Sequence, residues 1–310
     1  MKVTNKLGMP DAAYFALCSL QGLERGSNLN YIGVSSLLGA PLVRFLKNRH
    51  WDEIEIDASD TMNALQGTLA HLLFEKAAKK YPDRFRPELY LKATIENFNL
   101  RGVADLYDAE TATLHDAKFK QVNSVTAGKI RGDDYLEKQL NVYAWMATQM
   151  GYPVKRLQGD VFINGWVVYK AMEHDSAYPK HPYIKMDIPL WPTNTTEAFI
   201  IERLKIHDTK AIRALKAHNE NQFLPTIQEV DNLICELPIC TPEERYQKKE
   251  TYAVMKKGRK SALRVFPTVQ QAVGYQNTAD GVTYIETRPG GNMRCIFYCD
   301  VRGFCPYKNC

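Results

Sequence analysis

No run of apolar residues in this 310-residue sequence approaches the roughly 20 residues that a membrane-spanning helix needs. An integral membrane protein is therefore not expected. The first 20 residues also lack an apolar segment followed by a small-residue cleavage site, which argues against a secretory signal peptide. These two absences favour a cytoplasmic protein with no membrane partner.

The sequence also has little excess of charge of either sign, with 40 Lys and Arg against 35 Asp and Glu. The formal net charge of +5 is compatible with a nucleic-acid partner but does not by itself indicate one. Apolar residues make up 45% of the chain, which is enough for a substantial core. The length suits one large domain with attachments, or two domains.

Cysteine is not scarce, and it is unevenly placed. Four of the seven cysteines lie in the last sixteen residues, with the spacing C-x3-C-x5-C-x4-C: Cys295, Cys299, Cys305 and Cys310. Clustered thiolates at such spacing commonly hold zinc or an iron–sulfur cluster. Cys240 is the favoured fourth ligand beside the first three, and Cys310 competes with it. The alternative is a group of thiols without a metal.

The most informative stretch is a predicted β-hairpin. One strand is expected over residues 98–107, a turn over 108–111 and a second strand over 113–119. Side chains two apart on a strand point to the same face, so Asp116 and Lys118 project together, and the hairpin can bring Asp105 beside them. Buried carboxylates are costly unless compensated, and a divalent cation would compensate them. The alternative is a solvated hairpin with a surface Asp–Lys pair.

Two predicted helices carry further candidates. His71 and Glu75 are one turn apart on a helix over residues 61–80, and Gln139 and Tyr143 are one turn apart on a helix that ends before Gly151. The alternatives are a structural histidine and an incidental Gln–Tyr pair. Each helix also has apolar positions expected to contact a core: Met62, Leu65, Leu69, Leu72 and Leu73 on the first, and Leu136, Leu140 and Met146 on the second.

The C-terminal part changes character. Residues 245–277 predict a strand, a basic turn, a second strand and a short helix, which together form a ββα unit. The turn carries Lys256, Lys257, Arg259 and Lys260, which favours contact with nucleic acid, although most basic turns are only solvated. We therefore expect four parts: an N-terminal helical segment (1–30), a core (31–240), the basic ββα insert (241–287) and a Cys-rich metal-binding tail (288–310).

The order of the motifs over residues 31–165 carries a family resemblance. Gly67-x-x-x-His71 is followed by Gly102-x-x-Asp105, then Asp116-x-Lys118, then Gln139-x-x-x-Tyr143. This order resembles the PD-(D/E)xK nuclease superfamily, and within it the RecB-like exonucleases, which include CRISPR-associated and phage-encoded members. The resemblance implies an α/β (α+β) fold with a restriction-endonuclease-like core, in which a mixed central sheet is flanked by helices.

The resemblance also implies roles for individual residues. His71, Asp105 and Asp116 would hold Mg²⁺ or Mn²⁺ with help from the backbone carbonyl of Ala117, and Lys118 would orient or activate the attacking water. Gln139 and Tyr143 would contact DNA and support the site. Glu75 and Glu96 are further carboxylates that no matched motif assigns.

The implied activity is that of a Mg²⁺- or Mn²⁺-dependent deoxyribonuclease, an exonuclease in phage or mobile-element recombination, replication or repair. Single-stranded DNA or duplex ends would be its substrate, recombination proteins or further copies of the chain its partners, and the host cytoplasm its location if the gene is phage-encoded. The rival class is a catalytically idle DNA-binding or assembly protein that keeps the same fold.

The cysteines depart from the pattern of the relatives that hold an iron–sulfur cluster. Those relatives have one early cysteine, often before a proline, and three late ones spaced C-x2-C-x5-C. Here Ala40-Pro41 occupies the early position, and the late spacing is C-x3-C-x5-C. Zinc is therefore as tenable as one [4Fe-4S] cluster, and Cys240 is the residue that would replace the missing early ligand.

Overall fold

The structure, a computed structural model, describes residues 1–20, 28–126, 134–173, 177–221 and 224–308. The chain divides into two compact units, Met1–Leu237 and Pro238–Cys310. Within the described ranges, no helix combines the length and the apolar character that crossing a membrane requires.

The first unit is built from eight strands and ten helices in the described ranges. The strands are β1 (Lys2–Thr4), β2 (Ile32–Gly33), β3 (Glu55–Asp57), β4 (Phe85–Ile95), β5 (Phe98–Asp108), β6 (Thr113–Gln121), β7 (Arg156–Asn164) and β8 (Tyr183–Ile188). The helices are α1 (Asp11–Leu20), α2 (Val34–Leu38), α3 (Pro41–Arg49), α4 (Met62–Lys80), α5 (Val122–Thr126), α6 (Asp134–Gln149), α7 (Val168–Ala171), α8 (Thr193–His207), α9 (Lys210–Asn221) and α10 (Ile227–Asn232).

A six-stranded mixed sheet forms the centre of this unit. Strands β4 and β5 pair antiparallel along their whole length, β6 and β7 pair parallel, and β8 pairs antiparallel with β7. The second edge of β5 is shared: β2 pairs with it at Leu100 and Arg101, and β6 pairs with it from Leu106 to Asp108. Residues 102–105 therefore lie where β6 leaves β5, a place we call the strand fork.

The helices pack against this sheet as the sequence predicts. Helix α6 contacts β4, β5, β6 and β7, and helices α2 and α8 contact α6 in turn. Its predicted core positions Leu136, Leu140 and Met146 are fully buried. The expected mixed sheet flanked by helices is confirmed.

Helix α4 differs from the expectation. Its apolar stripe was expected to face a core, but Leu69, Leu72 and Leu73 are about half exposed, at 49%, 50% and 56%. The helix contacts β4, β5 and β6, and Ala70 rather than these leucines is fully buried. The buried side of the helix therefore includes Ala70 and excludes the three leucines. The side chains of the other two stripe residues, Met62 and Leu65, lie outside the described part of the structure.

The second unit extends the predicted ββα pattern by one strand. It contains β9 (Gln247–Lys248), β10 (Thr251–Lys256), β11 (Arg264–Phe266), α11 (Val269–Gln276), β12 (Thr283–Arg288), β13 (Gly291–Asn292) and α12 (Met293–Phe297). Strand β10 lies between β11 and β12, and both neighbours are antiparallel to it. The third strand gives β10 a partner on each edge, and two-stranded hairpins alone are only marginally stable.

A buried histidine ties α8 to the turn between α2 and α3. His207 is 1% exposed, and its Nε2 lies 3.1 Å from the carbonyl oxygen of Leu37 and 3.2 Å from that of Gly39. Burial, reinforced by the nearby Arg44 and Arg203, lowers the pKa of His207 to about 4. The imidazole is therefore neutral in the folded protein at neutral pH.

We expect the fold to lose stability in acid, because His207 is buried in its neutral form. Its pKa is about 6.5 when unfolded, so between pH 6.5 and pH 4 the unfolded chain binds the extra proton and stability falls as the pH falls. We expect His207 to account for a loss of up to about 3 kcal/mol over this range. Urea unfolding at pH 7 and pH 4.5 measures the loss, and His207→Gln, which keeps an N–H donor, should lose less. Equal losses in both proteins would contradict the prediction.

Candidate active site

Asp105 bridges the strand fork. Strands β5 and β6 separate beyond the Leu106–His115 pair, and the Asp105 carboxylate spans the gap by accepting a hydrogen bond from the backbone N–H of Ala117, with 2.8 Å between Oδ2 and N. The carboxylate replaces a ladder bond that the diverging strands cannot make. The fork therefore holds one oxygen of Asp105 in place beside β6.

Asp116 and Lys118 lie on the same face of β6, as the alternation of side chains predicts. Lys118 Nζ is 2.6 Å from Asp116 Oδ2, and the Asp116 side chain is only 4% exposed. Burial lowers the pKa of Lys118, but the carboxylates of Asp116 and Asp105 outweigh it, and the pKa is raised. Lys118 is therefore an ammonium at neutral pH, in contact with one carboxylate and under the electrostatic influence of a second.

His71 reaches the same place from α4. Its Nε2 is 3.6 Å from Asp105 Oδ1, and its Nδ1 is 2.9 Å from Glu88 Oε1. Sequence analysis did not identify Glu88. It lies on β4 between Pro87 and Leu89, which pair with Leu106 and Ala104, so it is opposite Asp105. Only the strand register could have revealed it.

The backbone at Glu88 is strained, with a φ of +47°. A side chain in the left-handed region is unusual for a residue other than glycine, and such strain gathers at functional sites. Here it coincides with the contact between Glu88 and His71, so the strained residue holds the imidazole that faces Asp105.

Gln139 and Tyr143 lie together on α6. Gln139 Nε2 is 3.3 Å from the Tyr143 hydroxyl, and Gln139 Oε1 is buried with no hydrogen-bond donor among the described residues. Burial, with Asp116 and Asp105 nearby, raises the pKa of Tyr143 to about 12, so the phenol keeps its proton. A Cβ added at Gly102 would lie 2.5 Å from Tyr143 Cε1, so only glycine lets this ring approach β5 so closely.

Two further candidates from the sequence lie apart from this group. Glu96 lies in the turn between β4 and β5, before Phe98, and the seven steps along β5 from Phe98 to Asp105 span about 23 Å. Gly67 is the glycine of the first motif. A Cβ added there would have no atom from another described part of the chain within 4 Å, so no described neighbouring element packs closely against this glycine. Among the described residues, no three His, Cys, Asp or Glu side chains are gathered in a group that could hold a metal ion.

A second polar cluster lies one residue from the site, where the alternation of β6 turns His115 to the other face. Asp160 accepts three contacts there: from His115 Nδ1 at 2.8 Å, from Gln158 Nε2 at 2.6 Å and from the Tyr183 hydroxyl. Burial raises the pKa of Asp160, but these partners outweigh it and the pKa is lowered. The Asp160 carboxylate therefore has hydrogen-bond partners on β6, β7 and β8, and the cluster joins these three strands.

The described cysteines of the second unit influence one another electrostatically, although they do not form a closed group. Burial and Glu244 raise the pKa of Cys240 to about 11, and the thiolates of Cys305 and Cys295 add to the rise, which places them in its electrostatic range. Burial raises the pKa of Cys299 in the same way, with a smaller effect from Cys295. All four are half-buried.

A hydrogen-bonded link joins the segments that carry Cys240 and Cys295. The backbone N–H of Arg294 donates to the carbonyl of Arg245 at 3.0 Å, and its side-chain Nη1 donates to the carbonyl of Glu244 at 3.1 Å. These bonds attach the start of α12, which carries Cys295, to the loop that follows Cys240. The competing ligand Cys310 lies outside the described residues.

Two solved structures show a distant similarity to this chain. No protein-family model and no curated protein matches the sequence. The crystal structure of SSO0001 aligns with a TM-score of 0.45 and 13% identity, over 65% of this chain and 87% of that one. The crystal structure of a phage-related exonuclease from Haemophilus somnus 129PT aligns with a TM-score of 0.29 and 12% identity, over 74% and 91%. Both TM-scores are below 0.5, and no conclusion about activity follows from either.

Proposed function

We propose that this protein is a metal-dependent DNA nuclease of the RecB-like exonuclease type. The observation that carries the proposal is the ion pair between the buried Asp116 and the partly exposed Lys118, beside Asp105 at the strand fork. A buried carboxylate that needs an ammonium beside it, with a second carboxylate nearby, is costly to maintain without a use. Charges arranged in this way suit the hydrolysis of a phosphodiester.

The donor atoms fit Mg²⁺ or Mn²⁺. Asp105 and Asp116 supply the carboxylate oxygens that hard cations prefer, and the imidazole of His71 suits Mn²⁺ as well. The carbonyl of Ala117 is the proposed backbone ligand. Because Lys118 Nζ contacts Asp116 Oδ2, a cation would have to share or replace that contact, and His71 would exchange its contact with Asp105 for the ion. When bound, the ion would polarise the phosphoryl group and lower the pKa of water.

The remaining chemistry belongs to residues of the chain. The Lys118 ammonium would orient the attacking water and stabilise the negative charge that grows on the phosphorus oxygens. Tyr143 keeps its proton, so its hydroxyl can donate to a phosphate, and Gln139 Oε1 offers an acceptor with no partner among the described residues. Glu88 would fix the orientation of His71 through their 2.9 Å contact.

The biological setting is part of the proposal. We place the activity in the recombination, replication or repair of phage or mobile-element DNA in the cytoplasm, with recombination proteins or further copies of the chain as partners. A catalytically idle DNA-binding or assembly protein is the alternative. The intact set of Asp105, Asp116 and Lys118 argues against it, because an idle site has no need to keep a buried charged pair.

Digestion of end-labelled linear DNA and covalently closed circular DNA, with Mg²⁺ or Mn²⁺ and with EDTA, tests the proposal. We expect the linear DNA to be degraded from its ends, the circular DNA to persist and EDTA to stop the reaction. Metal-dependent cutting of the circle would identify an endonuclease. No cleavage of either DNA under any metal condition would favour the idle alternative.

A metal centre in the second unit is a separate proposal. We infer that Cys240, Cys295, Cys299 and Cys305 hold one structural Zn²⁺ or one [4Fe-4S] cluster. Its support is that Cys295 and Cys305 act electrostatically on Cys240 and that Arg294 joins the segments of Cys240 and Cys295 by hydrogen bonds. Thiolate donors suit both groups. The centre would be closed to substrate and separate from the nuclease site.

The second unit also carries the positive charge of the chain. Residues 238–310 contain 12 Lys and Arg against 6 Asp and Glu, whereas residues 1–237 contain 28 against 29. The last residue of β10 and the turn after it contribute four of these cations, and all four are exposed: Lys256, Lys257, Arg259 and Lys260. We propose that this turn contacts the DNA backbone without regard to sequence.

Replacing those four residues with Ser should weaken DNA binding most at moderate salt. The slope of log affinity against log salt should become shallower by about 0.9 for each phosphate of duplex DNA that the protein no longer binds. The single variant Lys257→Ser, compared with the exposed Lys308→Ser as a matched control, separates the turn from a general reduction of charge. An unchanged affinity and salt slope in the fourfold variant would show that the turn does not bind DNA.

A further inference from the structure

A cleft adjoins the proposed active site and shares Tyr143 with it. Its volume is about 620 Å³, within the size range of small-molecule sites. Gly102 and Val103 of β5 and the start of α2 line it together with Tyr143. Asp105 follows these lining residues on the same strand, so the cleft lies along β5 next to the strand fork.

Flat, exposed groups form the walls of the cleft. Tyr90 lines it from β4, where it pairs with Val103, and its side chain is 53% exposed. Arg101 lines it from β5, and its guanidinium lies 4.8 Å from the centre of the Tyr31 ring. Tyr31 is itself 40% exposed. A guanidinium held over a tyrosine presents a planar cationic face instead of a mobile charge.

The chemistry of this lining selects a ligand class. Arg101 is the one charged residue among the described residues that line the cleft, and no carboxylate lines it. An aromatic side chain and a planar guanidinium suit a π-system, and a single positive charge suits a ligand that carries negative charge nearby. Serine hydroxyls at positions 35 and 36 add neutral hydrogen-bonding groups. A nucleotide meets all three requirements.

We propose that this cleft is a subsite for an unpaired nucleobase, which stacks on Tyr90 and on the Arg101 guanidinium. The inference rests on the proposed nuclease function and deepens it, because it names the part of the substrate that this surface recognises. The shared Tyr143 and Gly102 place the bound base next to the bond that is cut, and for an enzyme acting at ends that base is the terminal one. Every base has a π-face, so the subsite tolerates any sequence but requires an unpaired base.

A double-mutant cycle in EDTA tests the subsite without relying on cleavage. Affinity is measured for a short single-stranded oligonucleotide and for two versions with an abasic residue at the 5′ or the 3′ end. Tyr90→Ala should weaken binding of the complete oligonucleotide about 5- to 150-fold, the range expected for stacking one base. It should have little further effect when the abasic residue is at the recognised end, because the stacking partner is already gone.

Further variants keep the test interpretable. Tyr90→Phe should retain most of the affinity, and Arg101→Lys, which keeps the charge but not the plane, should weaken binding of the complete oligonucleotide. Tyr81→Ala removes a tyrosine of similar exposure, 50%, outside the cleft and should have no effect. Should Tyr90→Ala fold poorly, Arg101→Lys completes the same cycle.

The outcomes separate the subsite from the nuclease proposal. Coupling between the variant and the abasic residue at either end supports the subsite. A second outcome is that wild-type protein binds and cuts DNA while Tyr90→Ala weakens binding of the complete oligonucleotide and of both abasic oligonucleotides by the same factor. In that case the subsite is wrong and the nuclease proposal stands. If wild-type protein neither binds nor cuts DNA, both are wrong.

Discussion

Lys118→Met is expected to reduce metal-dependent DNA cleavage by about 10²- to 10³-fold or more, the loss that follows removal of one group that stabilises transition-state charge. The ammonium lies 2.6 Å from Asp116 Oδ2, and the neighbouring carboxylates keep it protonated. The Met side chain has a similar length but no charge, so the loss should appear in kcat more than in KM. Single-turnover cleavage at saturating metal measures the rate.

The same substitution has a cost in stability that tests the geometry independently. Removing Lys118 leaves the Asp116 carboxylate, 4% exposed, without its ammonium, and a buried carboxylate that loses its partner destabilises the fold by about 2 kcal/mol or more. The double variant Asp116→Asn with Lys118→Met removes both charges. It should unfold at a higher urea concentration than Lys118→Met alone and be at least as inactive. A single variant that is fully stable and fully active would contradict the buried pair.

The second large effect concerns the cysteines. Protein purified without oxygen is expected to contain one metal centre per chain, and Cys295→Ser is expected to lose most of it, with the cooperative unfolding of residues 238–310. The reason is that the binding energy of a structural metal is folding energy, which for zinc-binding peptides is about 10–16 kcal/mol. Elemental analysis distinguishes zinc from iron, and Cys235→Ser, an exposed cysteine of the first unit, is the matched control.

The fourth ligand is decided by two further variants. Burial raises the pKa of the Cys240 thiol to about 11, so a metal that binds its thiolate must release a proton, and metal content should fall in acid. We expect Cys240→Ser to lose metal and Cys310→Ser to keep it. The reverse result would identify Cys310 as the ligand. Absence of both zinc and iron from the purified wild-type protein would contradict the centre itself.

Local periodicity in the sequence predicted much of the site. Asp116 and Lys118 are two residues apart on a strand and were expected on one face, and Gln139 and Tyr143 are four residues apart on a helix and were expected side by side. Both pairs are in contact in the structure. These predictions succeed because they depend only on the geometry of one strand or one helix. The catalytic roles of the residues stay predictions.

Features set by several elements at once were not predictable. The strand fork depends on how β2 and β6 divide one edge of β5, and Glu88 joins His71 only because β4 takes a particular register against β5. The leucines of α4 have the pattern of a buried face, yet Leu69, Leu72 and Leu73 are about half exposed, whereas Ala70 of the same helix is fully buried. Hydrophobic spacing indicates a helix but does not say how closely its neighbour will approach.

The central claim is that the carboxylates at the strand fork serve DNA cleavage, and the comparison of wild-type protein with Asp105→Asn tests it most directly. The Asn amide oxygen can still accept the hydrogen bond from the Ala117 N–H, so the fork should keep its shape while the charge is lost. We measure cleavage rate and Kd on the same linear DNA with Mg²⁺ or Mn²⁺. The account predicts rapid metal-dependent cleavage by wild-type protein, and for Asp105→Asn a rate lower by about 10²-fold or more with a Kd within a few-fold. Equal rates for the two proteins, or no metal-dependent cleavage by the wild type, would contradict it.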